Sequence, residues 1–252
     1  MAIKRDTRYY QVARDALEGS LGHPGFIFLK NLCHSHKNRL VVDVGCGEGS
    51  RLDYLVNHNQ GIGVDINQYA IDQARKKYPR FQFFTYDGDR LPIDNNKADV
   101  TYSTFVLEHT QDPKHFIDEM IRITKTGGYV TILCPNYGAP NRRSPNSIEN
   151  PIKKLLRGAV DDFDTNKKLD WQKVSPKKEY RNIDDDTTVE PYVLSLIRFL
   201  KARGLKAIRS SSLWELETKT SSPRKLLFST LGRSGLFPLK HWGPQVFVCF
   251  RK

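Results

Sequence analysis

Cysteine is scarce: four residues in 252, Cys33, Cys46, Cys134 and Cys249, with no two set as CxxC. That spacing speaks against structural zinc and a disulfide scaffold, and a reducing cytoplasm is the simpler compartment. No apolar run approaches the ~20 residues that a membrane span needs. The opening residues Met1-Ala2-Ile3-Lys4-Arg5-Asp6 lack the apolar core of a signal peptide. Internal repeats and low-complexity tracts are missing too, and the length suits one doubly wound domain with an insertion.

Negative charge is the other shortfall. Forty Lys and Arg face 28 Asp and Glu, leaving a formal charge of +12. Two readings of that excess stand level: an acidic partner, or solubility. The stretch from Asp43 to Asp99 is rich in acids. Cations gather on the N-terminal arm (Lys4, Arg5, Arg8, Arg14) and from Arg142 to Arg181, and no carboxylate follows Glu217. If these cations converge on a pocket, the molecule it takes, or that molecule's carrier, is anionic.

What is present alternates strand with helix. Helical periodicity covers Lys4 to Gly19, Gly25 to Ser35, Arg51 to Asn59, Tyr69 to Tyr78, Pro113 to Thr124 and Pro191 to Arg203. Between them, strands are predicted at Arg39–Val44, Gly61–Ile66, Phe81–Tyr86, Asp99–Phe105, Tyr129–Cys134, Leu205–Ser210 and Gln245–Arg251. Right-handed crossovers then generate a doubly wound α/β sheet.

The sharpest feature is Val41 to Gly49, VVDVGCGEG. A β-branched run buried on both faces tolerates Asp43 only if the carboxylate finds a partner. Gly45, Gly47 and Gly49 then let the backbone turn tightly and approach a ligand before a helix begins. The glycines do not follow the dinucleotide spacing GxGxxG, since Ser50 occupies the last position. A second strand ends in Asp65, about 20 residues past the turn, where an acid can take two ribose hydroxyls. Cys46, inside the turn, reads as a small residue that fits.

These segments resemble the class I S-adenosylmethionine-dependent methyltransferases, in the subgroup of small-molecule and glycan-modifying enzymes with a ubiquinone/menaquinone methyltransferase-like core. The likeness covers roughly Arg39 to Pro135. It rests on Asp43 to Gly49, Asp65, the segment Tyr86-Asp87-Gly88-Asp89-Arg90-Leu91-Pro92-Ile93, the strand Asp99 to Ser103 and the turn Val106-Leu107-Glu108-His109. It implies a Rossmann-like seven-stranded sheet with an antiparallel last strand. The implied S-adenosyl-L-methionine site takes in Asp43, Gly45, Cys46, Gly47, Gly49, Asp65, Ile66, Asp87, Gly88 and Ser103, with Tyr9 over the pocket. Asp87 is expected near the adenine amino group.

His109, just past the fourth strand, suits a general base acting near neutrality, although it could equally brace the turn. Glu108 would support it. Some quinone-pathway relatives add a glutamate three residues before the Glu-His pair to hold a divalent ion. Here that position is Phe105, so no metal is expected. Tyr10, Tyr137, Trp171 and Trp214 are further acceptor contacts, with Tyr180 and His23 behind them; ordinary packing is the alternative for each.

The division expected is an N-terminal helical arm (1–38), a cofactor core (39–135), an acceptor lid (136–190) and a C-terminal sheet portion (191–252). The lid carries Pro140, Pro145, Pro151 and Pro176; a partly disordered excursion is the other reading. Leu226-Leu227-Phe228 and Leu236-Phe237-Pro238-Leu239 could wall the pocket or touch a membrane surface. The leading function is O-methylation of a sugar or a glycan or lipid-linked precursor, in the cytoplasm or peripheral to a membrane. An RNA methyltransferase is favoured by charge alone and lacks the Asn/Asp-Pro-Pro-Tyr tetrapeptide of base-nitrogen enzymes. A non-catalytic cofactor-binding subunit is the third class.

Overall fold

The computed structural model describes residues 22–35, 37–56, 58–163, 169–177, 183–217 and 223–252. The helix expected over Lys4 to Gly19, with Tyr9 and Tyr10, and the candidate Tyr180 lie outside them. Seven strands, β1 Leu40–Val44, β2 Gln60–Asp65, β3 Gln82–Thr85, β4 Ala98–Thr104, β5 Thr124–Pro135, β6 Lys206–Ser212 and β7 Gln245–Arg251, form one sheet in the order β3-β2-β1-β4-β5-β7-β6. β6 and β7 pair antiparallel, as the resemblance implied. Seven α-helices accompany them among the described residues: α1 Pro24–His34, α2 Ser50–Leu55, α3 Gln68–Lys77, α4 Pro113–Ile123, α5 Pro151–Asp161, α6 Val193–Ala202 and α7 Pro223–Arg233.

The chain groups into two compact units. The first takes residues up to Thr104, then Lys114–Thr131 and Lys252; the second takes Phe105–Pro113 and Ile132–Arg251. In the first unit β1 pairs in parallel with β2 on one side (Val42 with Ile62) and with β4 on the other (Val42 with Thr101). Val41, Val42 and Val44 are wholly buried, which is why this strand reads as an uninterrupted apolar run. α3 begins where the Asn67 side chain accepts from the Ala70 amide and satisfies one orphan donor of the first turn. The limits of one helix and one strand differ most from expectation. α2 ends at Leu55, where Val56 is already extended, instead of running to Asn59. β5 starts at Thr124, ahead of Gly127-Gly128, because Gly127 and Gly128 exchange backbone hydrogen bonds with Lys252 (2.7 and 3.0 Å) and so continue the ladder.

The second unit absorbs both the 136–190 segment and the C-terminal strands, so the expected boundary at residue 190 does not divide compact bodies. Asn136 is one of its hubs: its amide nitrogen donates to the carbonyls of His241 (2.9 Å) and Gly243 (2.7 Å), and its oxygen accepts from the Val193 amide (3.0 Å). Glu190 is another, taking the Ser144 amide and hydroxyl on one oxygen and the Lys154 ammonium on the other. Arg142 clamps both carboxylate oxygens of Glu217 at 2.7 Å, a bidentate pair that holds Glu217 below the ordinary carboxylate range. These polar ties order a proline-containing stretch that has little apolar periodicity of its own.

Candidate active site

In the first unit the chain leaves β1 through three glycines with positive φ, Gly45 (86°), Gly47 (54°) and Gly49 (85°). A side chain at Gly49 would be strained by that backbone and would press on Phe83 and Tyr78 at 3.0 and 3.1 Å. Asp65, at the end of β2, holds the turn: one oxygen accepts from the Gly47 amide (2.8 Å), the other from Asn67 (2.9 Å). The amides of Gly45 and Cys46 both reach the Val64 carbonyl. Asp43 is fully buried, and neither carboxylate oxygen has a hydrogen-bond partner. Burial lifts its carboxyl to about 7, against the opposing pull of Arg51 and Tyr102. An orphaned carboxylate behind a glycine turn fits a ligand that brings a donor or a positive charge, as the amino acid end of S-adenosylmethionine does.

The remaining donor-side candidates fall into two kinds. Ile66 is 58% exposed, and Gly88 (φ 91°) places its missing Cβ 4.0 Å from the Ile66 side chain, next to exposed Asp87. That leaves an apolar surface and a carboxylate available to a planar base. Ser103 is buried on β4 with no hydrogen-bond partner for its hydroxyl. Cys46 is buried, and burial beside Asp65 and Asp43 pushes its thiol well up, which suits a packing residue and not a nucleophile.

The second unit contains the histidine. Phe105 takes a left-handed backbone (φ 57°), its amide donating to Leu133 (2.7 Å), and a single 3-10 turn, Leu107–His109, follows. The Glu108 carbonyl accepts from the Thr188 and Val189 amides, and the Thr188 hydroxyl reaches the Thr110 carbonyl (2.9 Å). This pins the turn to the end of the 136–190 segment and brings a second 3-10 turn, Ile183–Asp186, to the histidine. His109 Nδ1 lies 2.9 Å from Asp186 Oδ1, and Nε2 lies 3.7 Å from Glu108 Oε1. The distance is that of an ion pair, without the alignment of a hydrogen bond, and a carboxylate beside Nδ1 favours a proton on that nitrogen and the imidazolium form of the ring. Asp184 accepts from the Tyr137 hydroxyl at 2.7 Å, and burial together with that acid raises the Tyr137 phenol.

Glu108 has no hydrogen-bond partner at either oxygen, and burial raises its carboxyl to about 7. The folded state therefore keeps a proton that the unfolded chain releases near its ordinary value of 4.5. Stability contributed this way is present below that value and is lost as pH rises towards 7. Glu108→Gln should remove the loss. We expect it to gain at most about 3 kcal/mol above pH 7, several degrees in thermal midpoint, and nothing below about pH 4. Melts across that range decide it, and a Gln variant that gains nothing at alkaline pH would show the carboxyl to be stably ionised.

Glu108, His109 and Asp184 offer three ligand atoms within 4.8 Å of one another. The expectation of no metal counted only two ligands because Phe105 stands where a glutamate would. The third comes instead from far along the chain, and Asp186 is the residue that local reading missed altogether. Two aromatic candidates turn out to pack. Trp171 is buried with its indole N–H on the Ser195 hydroxyl (2.6 Å). Trp214 lies in a cluster with Ala139 and Trp242, donating to the Leu239 carbonyl (2.9 Å), so neither indole presents its polar edge to an acceptor. His23 caps α1 by accepting from the Gly25 amide.

The sheet order and glycine turn are those of the class I S-adenosylmethionine-dependent methyltransferase fold, and residues 42–132 match the family model described as "Methyltransferase domain". A "probable S-adenosylmethionine-dependent methyltransferase" of Mycolicibacterium smegmatis is 29% identical over 122 residues, 47% of this chain and 48% of that protein. The chloroplast 2-methyl-6-phytyl-1,4-hydroquinone methyltransferase of Spinacia oleracea is 31% identical over 108 residues, 41% of this chain and 31% of its own length. The match thus spans less than half of these relatives. Among solved structures, a chain from the complex of the Haloferax volcanii Trm112 methyltransferase activator with a methyltransferase superposes with a TM-score of 0.61 at 17% identity, covering 99% of this chain and 97% of that one. That likeness is one of fold.

Proposed function

We propose that this chain methylates an oxygen of a small acceptor, with S-adenosylmethionine as donor and His109 as the base. The observation that carries the reading is the Asp186–His109 contact of 2.9 Å on the turn after β4. When bound, the donor supplies an electrophilic methyl group on a sulfonium. Asp43, Asp65 and the glycine turn would hold it, with Ile66, Asp87 and Gly88 at the base. An acceptor hydroxyl would receive that methyl group, and His109 Nε2 would take the hydroxyl proton. The Asp186 carboxylate beside Nδ1 would stabilise the imidazolium that results. Alignment supplies much of the rate. The overall charge of +12 supports an anionic acceptor, such as a sugar phosphate or a lipid-linked glycan.

A screen of such acceptors for transfer of labelled methyl tests the reading, and base-stable products would identify an ether. Incorporation into RNA alone would overturn it. A second reading is favoured by the clustering of Glu108, His109 and Asp184: a divalent ion there would polarise the hydroxyl in place of a base. Chelation separates the two, since the base mechanism keeps its rate in EDTA.

A further inference from the structure

α5 wears its amphipathicity inside out. Its inward face carries Lys154, 2% exposed and paired with Glu190, together with Leu155 and Ala159 against the Trp214–Trp242 cluster. Gly158 lies so close to Pro140 that an added Cβ would sit 2.7 Å from it, so this face is seated. Its outward face presents Ile152, Leu156 and Val160, one per turn, at 69%, 66% and 72% exposure. Phe163 continues the row, and Ile148 precedes it fully exposed.

The row does not stop at the helix end. The Phe163 ring meets Phe237 edge to face at 5.4 Å, and Leu236 and Phe237 are themselves exposed. On α7 Leu226 and Leu227 also point to solvent, while Phe228 turns inward onto Trp242. Isolated exposed apolar side chains are ordinary, but a row of large ones joined to a second exposed segment marks an interaction surface.

Charge selects the occupant. From residue 218 onward the sequence has seven Lys and Arg and no acid. Lys225 is exposed beside Leu226, Lys240 follows the Leu236-Phe237 pair, and Lys153 is exposed beside Ile152. A second copy of this chain would bring the same positive sign to the contact. We propose that α5 and the Leu236-Phe237 corner dock on an anionic lipid surface, the apolar row entering the headgroup boundary and the lysines meeting the headgroups. No helix among the described residues is long and apolar enough to cross a membrane, so the attachment is peripheral. It stands apart from the methyl-transfer reading, since neither donor nor acceptor is needed to observe it.

Co-sedimentation of the whole chain with phosphatidylcholine vesicles, with and without phosphatidylglycerol, provides the test. Binding should require the anionic lipid and weaken as salt is raised. Leu156→Asp with Val160→Asp should reduce partitioning at least about tenfold, with the far-UV spectrum and melting profile retained. Lys225→Glu with Lys240→Glu should weaken anionic-lipid binding while leaving the apolar row in place. Absence from both vesicle types overturns the proposal, as does binding that survives the paired aspartates. A dimer in light scattering that those aspartates split, without vesicle binding, overturns it in favour of self-association.

Discussion

Asp65→Ala should lower the affinity for S-adenosylmethionine and S-adenosylhomocysteine by about a hundredfold or more, measured by calorimetry. The carboxylate has two duties. In the protein alone it receives the amides of Gly47 and Asn67, fixing the glycine turn against the start of α3. In the complex it would also take the ribose hydroxyls. Hydrogen bonds to a charged group contribute about 1.5–3 kcal/mol each, so losing the two observed bonds alone can account for a hundredfold through disorder of the turn. Asp65→Asn separates the duties, since its amide keeps one acceptor oxygen; a loss near tenfold is expected. Affinity unchanged in Asp65→Ala would remove this acid from the donor site and with it the main support for the donor geometry.

His109→Ala should reduce turnover with an acceptor by about 10²–10⁴, leaving donor affinity as it was. Asp186→Asn should reduce it less. Its more telling effect is on pH: without the carboxylate at Nδ1 the imidazolium is less stable, so the acid limb of the rate profile should move to lower pH. A residue that only braced the turn would change thermal stability and leave that limb in place. Equal turnover in His109→Ala across the pH range would pass the role to another group.

Much of the first unit was legible because its signals are local. The β1 run, the three glycines and an acid at the end of the next strand sit within a single βαβ stretch, and each has a backbone reason to be there. The histidine was legible for the same reason, next to the end of β4. Its partner was not. Nothing in the local sequence of Asp184-Asp185-Asp186 points to a histidine 77 residues earlier, and backbone bonds that the Glu108 carbonyl accepts from residues 188 and 189 help bring Asp186 to the ring. α7 went unread because its leucines do not share one buried face: Leu226 and Leu227 point outward while Phe228 packs. The tryptophans were ambiguous for the same reason. A large aromatic can wall a pocket or fill a core, and the neighbours that decide, Ser195 for Trp171 and Gly232 and Leu239 for Trp214, are remote in sequence.

The four cysteines have a use beyond chemistry. All are buried as thiols, Cys33 and Cys46 in the first unit, Cys134 and Cys249 in the second. A modifying reagent can reach them only when the surrounding structure opens, and its rate then reports the free energy of that opening. The native sequence therefore carries two labelling clocks in each unit. Peptide-resolved alkylation could time the loosening of either one, and its tightening when the donor binds, with no residue replaced.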